Sequence, residues 1–232
     1  MVICIILLAI GAVLTTLYAI EKTKEYTVKT TMLKAMASFF FVALAAYCYF
    51  KNSNNSFGFF AICGLASCLL GDIWLGLRHT FKEQSRLFLF AGFGCFAVGH
   101  IFYIVGMMGA LTFPREWYSY VIVLAASFIS GLIIMLLEKP LKVKYGEFRI
   151  PCFIYSMLLF STLYTAIYLA VFTRFAVVAY DMLFAGAILF SASDLILSFT
   201  YFGNKNQPVF LISNTLTYFV AQYVIAFSLF FI

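Results

Sequence analysis

Two aspartates stand inside apolar runs long enough to cross a membrane. The first lies in Leu70-Gly71-Asp72-Ile73-Trp74-Leu75 and the second in Ala192-Ser193-Asp194-Leu195-Ile196-Leu197. A carboxyl group in hydrocarbon is costly, so each marks a candidate functional site. Twenty-eight residues beyond each comes another polar residue in an apolar run, His100 after Asp72 and Gln222 after Asp194. The same offset of 122 lays Gly64 on Gly186 and Phe96 on Tyr218. This pattern reads as a parallel internal repeat that sets the two carboxyls facing each other. A pair of carboxyls in one low-dielectric site supplies an acid and a base together, the requirement of proton-dependent hydrolysis. Asp72 and Asp194 are therefore the first catalytic candidates, with His100 beside them.

Other polar residues fall in register with this pair. Asn214, Tyr218 and Gln222 recur at i, i+4 and i+8, one stripe on a helix. His100 and Tyr103 are neighbours at i, i+3. Ala91, Cys95 and Gly99 form a small face, and Ala185, Gly186, Ala187, Ser191, Ala192 and Ser193 thin the segment before Asp194. Small faces let membrane helices approach closely. The simplest arrangement gathers helices three, four, seven and eight around one polar cavity open toward the cytoplasmic leaflet. Asp181 lies thirteen residues before Asp194, about 220° round the helix and roughly 20 Å away along it. It is expected at the outer end of helix seven, paired with Arg174.

The elements that must hold these groups are legible in the composition. The chain has 232 residues, of which 65% are apolar and 10% charged, with 29 Phe and 15 Tyr. Eight apolar segments of spanning length lie near 2–20, 31–50, 57–77, 87–109, 117–137, 150–171, 175–200 and 208–231. The last two are the least separated, by Gly203 to Pro208 with Asn206 among them. The fold expected is all-α, a single integral membrane bundle of eight helices over residues 1–232, in which helices three and four resemble helices seven and eight.

The net charge of +6 follows topology and not nucleic-acid binding. Connections after helices one, three, five and seven carry 4, 3, 4 and 1 Lys or Arg, with Lys34 and Arg86 counted among them, against one each (Lys51, Arg115, Arg174) after helices two, four and six. This split of 12 to 3 puts the odd connections in the cytoplasm and both termini on the opposite side. The first segment lacks a basic flank and a clear cleavage site, so it reads as helix one and not as a signal peptide. The six cysteines fall in or beside helices with no CxxC spacing, and suit packing better than zinc or a disulfide framework.

Three chemistries fit poorly. Zinc hydrolases take three or more protein ligands, and only His100 falls within a predicted span, His79 being assigned to a connection. No G-x-S-x-G element announces a serine hydrolase. Tyr180-Asp181 and Gly71-Asp72 superficially match intramembrane aspartyl protease motifs. Their order is reversed, Leu69 replaces the first glycine, and the Pro-Ala-Leu element is absent.

The chain resembles the lysoplasmalogenase family, the YhhN-like membrane proteins of bacteria and their animal relatives. The resemblance runs over nearly the whole chain. It rests on Gly71-Asp72-x-x-Leu75, on Phe96-x-x-x-His100-x-x-Tyr103 and on Pro151-x-x-x-Tyr155. It continues in Gly186-Ala187-x-Leu189-Phe190-x-x-Ser193-Asp194 and Tyr218-x-x-Ala221-Gln222. The family often has Lys-Pro at the start of helix two, where this chain has Lys34-Ala35. The resemblance implies hydrolysis of the vinyl-ether bond of a lysophospholipid substrate, giving a fatty aldehyde and a glycerophospho-alcohol. It implies no metal and no organic cofactor. Asp72, Asp194 and His100 would do the chemistry, Tyr103, Asn214, Tyr218 and Gln222 would position water and glycerol, and Lys34, Arg78 and Arg86 would attract phosphate. The membrane expected is a bacterial inner membrane. A proton-coupled transporter would also use paired intramembrane carboxylates, although no Pro interrupts helices three, four, seven or eight; a non-catalytic lipid-binding protein would need no paired acids.

Overall fold

The computed structural model describes residues 1–24, 26–52, 56–110, 116–205 and 207–232. Arg115 and Asn206, both counted above in connections, lie outside the described residues. Eight helices long and apolar enough to cross a membrane follow one another among the described residues. They are α1 Val2–Lys22, α2 Val28–Lys51, α3 Ser56–Thr80, α4 Ser85–Met108, α5 Trp117–Leu136, α6 Arg149–Phe172, α7 Val178–Phe202 and α8 Pro208–Ser228. The chain is a multi-pass integral membrane protein. Every backbone polar group in hydrocarbon must be satisfied within its own segment, and for apolar runs of 20–25 residues the helix is the form that does so.

The helices end where local chemistry stops them. Pro208 occupies the first turn of α8, where its missing N–H costs nothing. Thr30 accepts a hydrogen bond from the Thr27 backbone N–H at 3.2 Å and fixes the entry to α2. Gly203 closes α7. α3 runs further than its apolar stretch suggests, so His79, expected in a connection, belongs to the last turn of that helix.

Neighbour contacts close a ring: α1 packs on α2, α2 on α3, α3 on α4, α4 on α6, α6 on α7, α7 on α8 and α8 back on α1. α5 stands outside this ring against α6. The closest pairs are α3 with α4 and α7 with α8, the pairs that carry the polar residues. Glycines set the α3–α4 spacing. A Cβ at Gly99 would stand 3.1 Å from the Gly64 carbonyl oxygen and 3.0 Å from Cys68 Sγ. Gly92 lies against Leu75 and Gly106 against Phe60. Gly99 belongs to the small face expected from sequence, and Gly92 and Gly106 extend the close contact along α4. On α7, Gly186 lies against Ile225 and the Ala221 carbonyl of α8.

Candidate functional site

Asp72 lies eight residues before the end of α3 at Thr80, and Asp194 eight before the end of α7 at Phe202. With a rise of 1.5 Å per residue both stand about 12 Å inside the same end of the bundle. They line one cavity of about 380 Å³. The ring of helices supplies its wall, with α1 and α2 contributing as well as α3, α7 and α8, whereas α4 presents only Phe96. The mouth is cationic, with Lys22, Lys24 and Arg78 in its lining; His79 lines the cavity too, and Lys34 lies deeper against Asp72.

The two carboxyls have different partners. Asp72 is fully buried, and its Oδ1 meets Lys34 Nζ of α2 at 2.8 Å. Its Oδ2 accepts from Ser38 Oγ at 2.5 Å and from the Tyr218 hydroxyl at 2.6 Å. Three elements (α2, α3 and α8) are thus tied to one carboxylate. Taking an ion pair out of water costs several kcal/mol per ion unless the geometry is good and further hydrogen bonds are made, and this cluster provides both. Asp194 is half-buried. Its Oδ2 accepts from the Tyr155 hydroxyl of α6 at 2.5 Å, and no Lys or Arg among the described residues forms an ion pair with it.

Behind each carboxyl runs a hydrogen-bonded branch that does not itself line the cavity. On the Asp72 side, Tyr103 donates to Gln222 Oε1 at 3.1 Å and Gln222 Nε2 donates to the Tyr218 hydroxyl at 3.2 Å. On the Asp194 side, Tyr155 also lies 3.3 Å from His100 Nε2, and His100 Nδ1 lies 3.0 Å from Thr162 Oγ1. Thr162 donates its own proton to the Leu158 carbonyl at 3.1 Å, so its oxygen accepts from Nδ1–H and Nε2 is left with its lone pair toward Tyr155. The network, not an observed proton, assigns this tautomer. The single Tyr155 proton can then serve Asp194 or His100. Phe96, Phe190 and Tyr218 stack edge to face at 5.7–6.4 Å between the cavity and His100.

The residues expected from sequence are therefore divided. Asp72, Asp194, Lys34, Asn214 and Tyr218 meet at the cavity. His100, Tyr103 and Gln222 sit behind its wall and reach it through Tyr155 and Tyr218. Asn214 donates to Ser193 O and Oγ at 3.0 and 2.9 Å and accepts from Lys22 at 3.3 Å, which joins α1, α7 and α8. Lys34 is engaged by Asp72 and does not stand free for a headgroup. Arg86 pairs with Glu147 at 2.6 Å on the exposed surface and takes no part in the cavity. Arg78 does line it, over the Tyr201 ring at 4.3 Å, with Nη1 buried and without a hydrogen-bond partner. Asp181 forms no ion pair with Arg174 among the described residues, and its Oδ1 is buried without a partner in the first turn of α7, where the helix dipole favours an acid.

Ser38, Tyr155, Thr162 and Lys22 were not singled out as site residues. Ser38 lies one turn beyond Lys34 on α2, a polar i, i+4 pair in an apolar helix, and that spacing was a usable signal. Thr162 is one of many hydroxyl residues in spans, and only packing distinguishes it. Among the described residues no three of His, Cys, Asp and Glu gather as a metal-ligand set.

A family model described as the YhhN family matches residues 25–229 of the chain. No curated protein and no solved structure matches it.

Proposed function

The chain belongs to the YhhN family, and from that premise we propose that it is a membrane-embedded hydrolase that opens the vinyl-ether bond of lysoplasmalogen-type lysophospholipids. The observation that carries this reading is one cavity with two unlike carboxyls in its depth and a cationic mouth. The cationic mouth suits an anionic headgroup, and the acids suit the bond.

A vinyl ether resists base and opens when its β-carbon takes a proton. The resulting oxocarbenium ion adds water at the carbon beside oxygen, and the hemiacetal collapses to an aldehyde and the free glycerol hydroxyl. In this reading Asp194 delivers the proton, because it has one hydrogen-bond donor and no cation beside it. Tyr155 then donates to the carboxylate left behind; Asp194 regains its proton from the attacking water as the hemiacetal forms, and Tyr155 can then turn toward His100 Nε2. Asp72 stays paired with Lys34. It faces the same cavity and offsets the developing positive charge, and with Tyr218 it directs the attacking water. Lys22, Lys24 and Arg78 at the mouth attract the phosphate. His100, Tyr103 and Gln222 act as positioning residues for Tyr155 and Tyr218. The odd-numbered connections lie in the cytoplasm of a bacterial inner membrane, which opens the cavity toward the cytoplasmic leaflet.

The test is release of free aldehyde from a defined lysoplasmalogen by purified protein. Asp194→Asn is expected to lower the rate by about 10²–10⁴-fold, the usual range for a lost general acid, with its thermal unfolding close to that of the parent. A folded parent that releases no aldehyde across several headgroups would remove the substrate assignment.

A further inference from the structure

Asp194 lines a second space as well as the first. A smaller apolar slot of about 60 Å³ runs between α4, α5, α6 and α7, past Phe93, Ile134, Leu159 and Leu195. Asp194 is its only charged member among the described residues. The slot and the large cavity share Leu75, Phe96, Asp194, Leu197 and Tyr201, so Asp194 stands between two adjoining spaces and faces both. Leu195, at the outer side of the slot, is 37% exposed on the lipid-facing surface. One space is therefore large and cationic at its mouth; the other is small and mostly apolar, with Leu195 exposed to lipid beside it.

We infer that the slot holds the proximal part of one aliphatic chain of a lipid whose anionic headgroup occupies the cationic cavity, so that Asp194 touches the first bond of the chain. This rests on the hydrolase reading for the chemistry but not for the binding. The two spaces match the two ends of a single-tailed amphiphile: the cations meet phosphate, and the slot takes methylenes out of water. Its small volume, about 60 Å³, argues for one tail and against two. The geometry also fixes which bond is presented. A headgroup drawn to Lys22, Lys24 and Arg78 and a tail drawn past Leu159 leave the headgroup–chain junction at the shared residues. The bond beside Asp194 is then the one between glycerol oxygen and chain, and deeper chain bonds are out of its reach.

The probe is a non-hydrolysable alkyl-ether lysophospholipid with a photoreactive diazirine on a mid-chain carbon, applied to the full chain in detergent or nanodiscs. Adducts are mapped by mass spectrometry. Adducts are expected on Phe93 and on the α6 segment from Cys152 to Leu159. Excess unlabelled lysophospholipid should abolish them, and the same concentration of chain-free glycerophosphoethanolamine should not. Ser156→Phe, which fills the slot, should lower them at least tenfold. Adducts scattered over the lipid-facing residues of α1 and α5, as for free bilayer lipid, would overturn the proposal, and the parent map decides this even if Ser156→Phe fails to fold. Because the probe reports binding alone, slot adducts from it together with no aldehyde from a lysoplasmalogen in the separate assay would keep the slot and reject the hydrolase. Aldehyde release with adducts elsewhere would do the reverse.

Discussion

At the residue scale the difference between the two acids is the informative result. Sequence places Asp72 and Asp194 as equivalents, yet Lys34 stands 2.8 Å from one and Tyr155 2.5 Å from the other. A buried ion pair is costly to break from one side, by about 3–5 kcal/mol, because the orphaned charge stays buried. Lys34→Met and Asp72→Asn should therefore each lower stability by an amount of that order, whereas the double variant should lose much less than their sum. Chemical unfolding of all four proteins in one detergent measures the coupling. Additive losses would mean that the two side chains act independently and that the ion pair does not hold α2 to α3. No periodicity links Lys34 to Asp72, since they sit on different helices 38 positions apart. The Ser38 bond to the same carboxylate was hidden for that reason too, although its one-turn spacing from Lys34 was visible. Tyr155 was visible only as part of a motif, because a tyrosine near a helix start reads equally well as a membrane-interface anchor.

At the level of elements the glycines decide which helices approach closely. Gly99 faces Gly64 and Cys68 at contact distance, while nothing lies within 4 Å of a Cβ built on Gly94. Gly99→Ala must push α4 away from α3 and should cost about 1–3 kcal/mol. Gly94→Ala meets open space on the lipid side and should be neutral, or stabilise the helix by up to about 1 kcal/mol through propensity alone. Thermal unfolding of the two variants side by side checks the opposite signs. The same substitution on one helix thus reports which face packs. Sequence picks out Gly99 on a small stripe, whereas Gly92 and Gly106, which also pack against α3, lie outside that stripe. Apolar and small residues surround α4 on every side, and in a helix surrounded by lipid there is no polar face to fix its rotation.

Across the whole molecule, closure of seven helices into a ring with α5 outside creates both the cationic cavity and the slot that meets it. The basic mouth lies at the end of the ring that carries the odd connections, so the orientation assigned to the chain decides which leaflet it samples. If those connections are cytoplasmic, Lys142→Cys should react with an impermeant maleimide only in opened membrane vesicles, and Arg174→Cys should react in intact cells; the reverse labelling would turn the cavity to the other leaflet. The sequence alone determined the eight spans, the charge asymmetry of their connections, and the common level of the two acids eight residues from their helix ends. These are one-dimensional properties: an apolar run of sufficient length must be helical in hydrocarbon, and a fixed rise per residue converts position into depth. Tertiary structure alone decided which acid receives the lysine, which polar residues face the cavity and which stand behind its wall, and that an apolar slot lies beside Asp194. Those depend on how each helix is rotated about its axis. Lipid is as apolar as the side chains it touches, so hydropathy exerts no torque on that rotation and only the packing of neighbouring helices sets it.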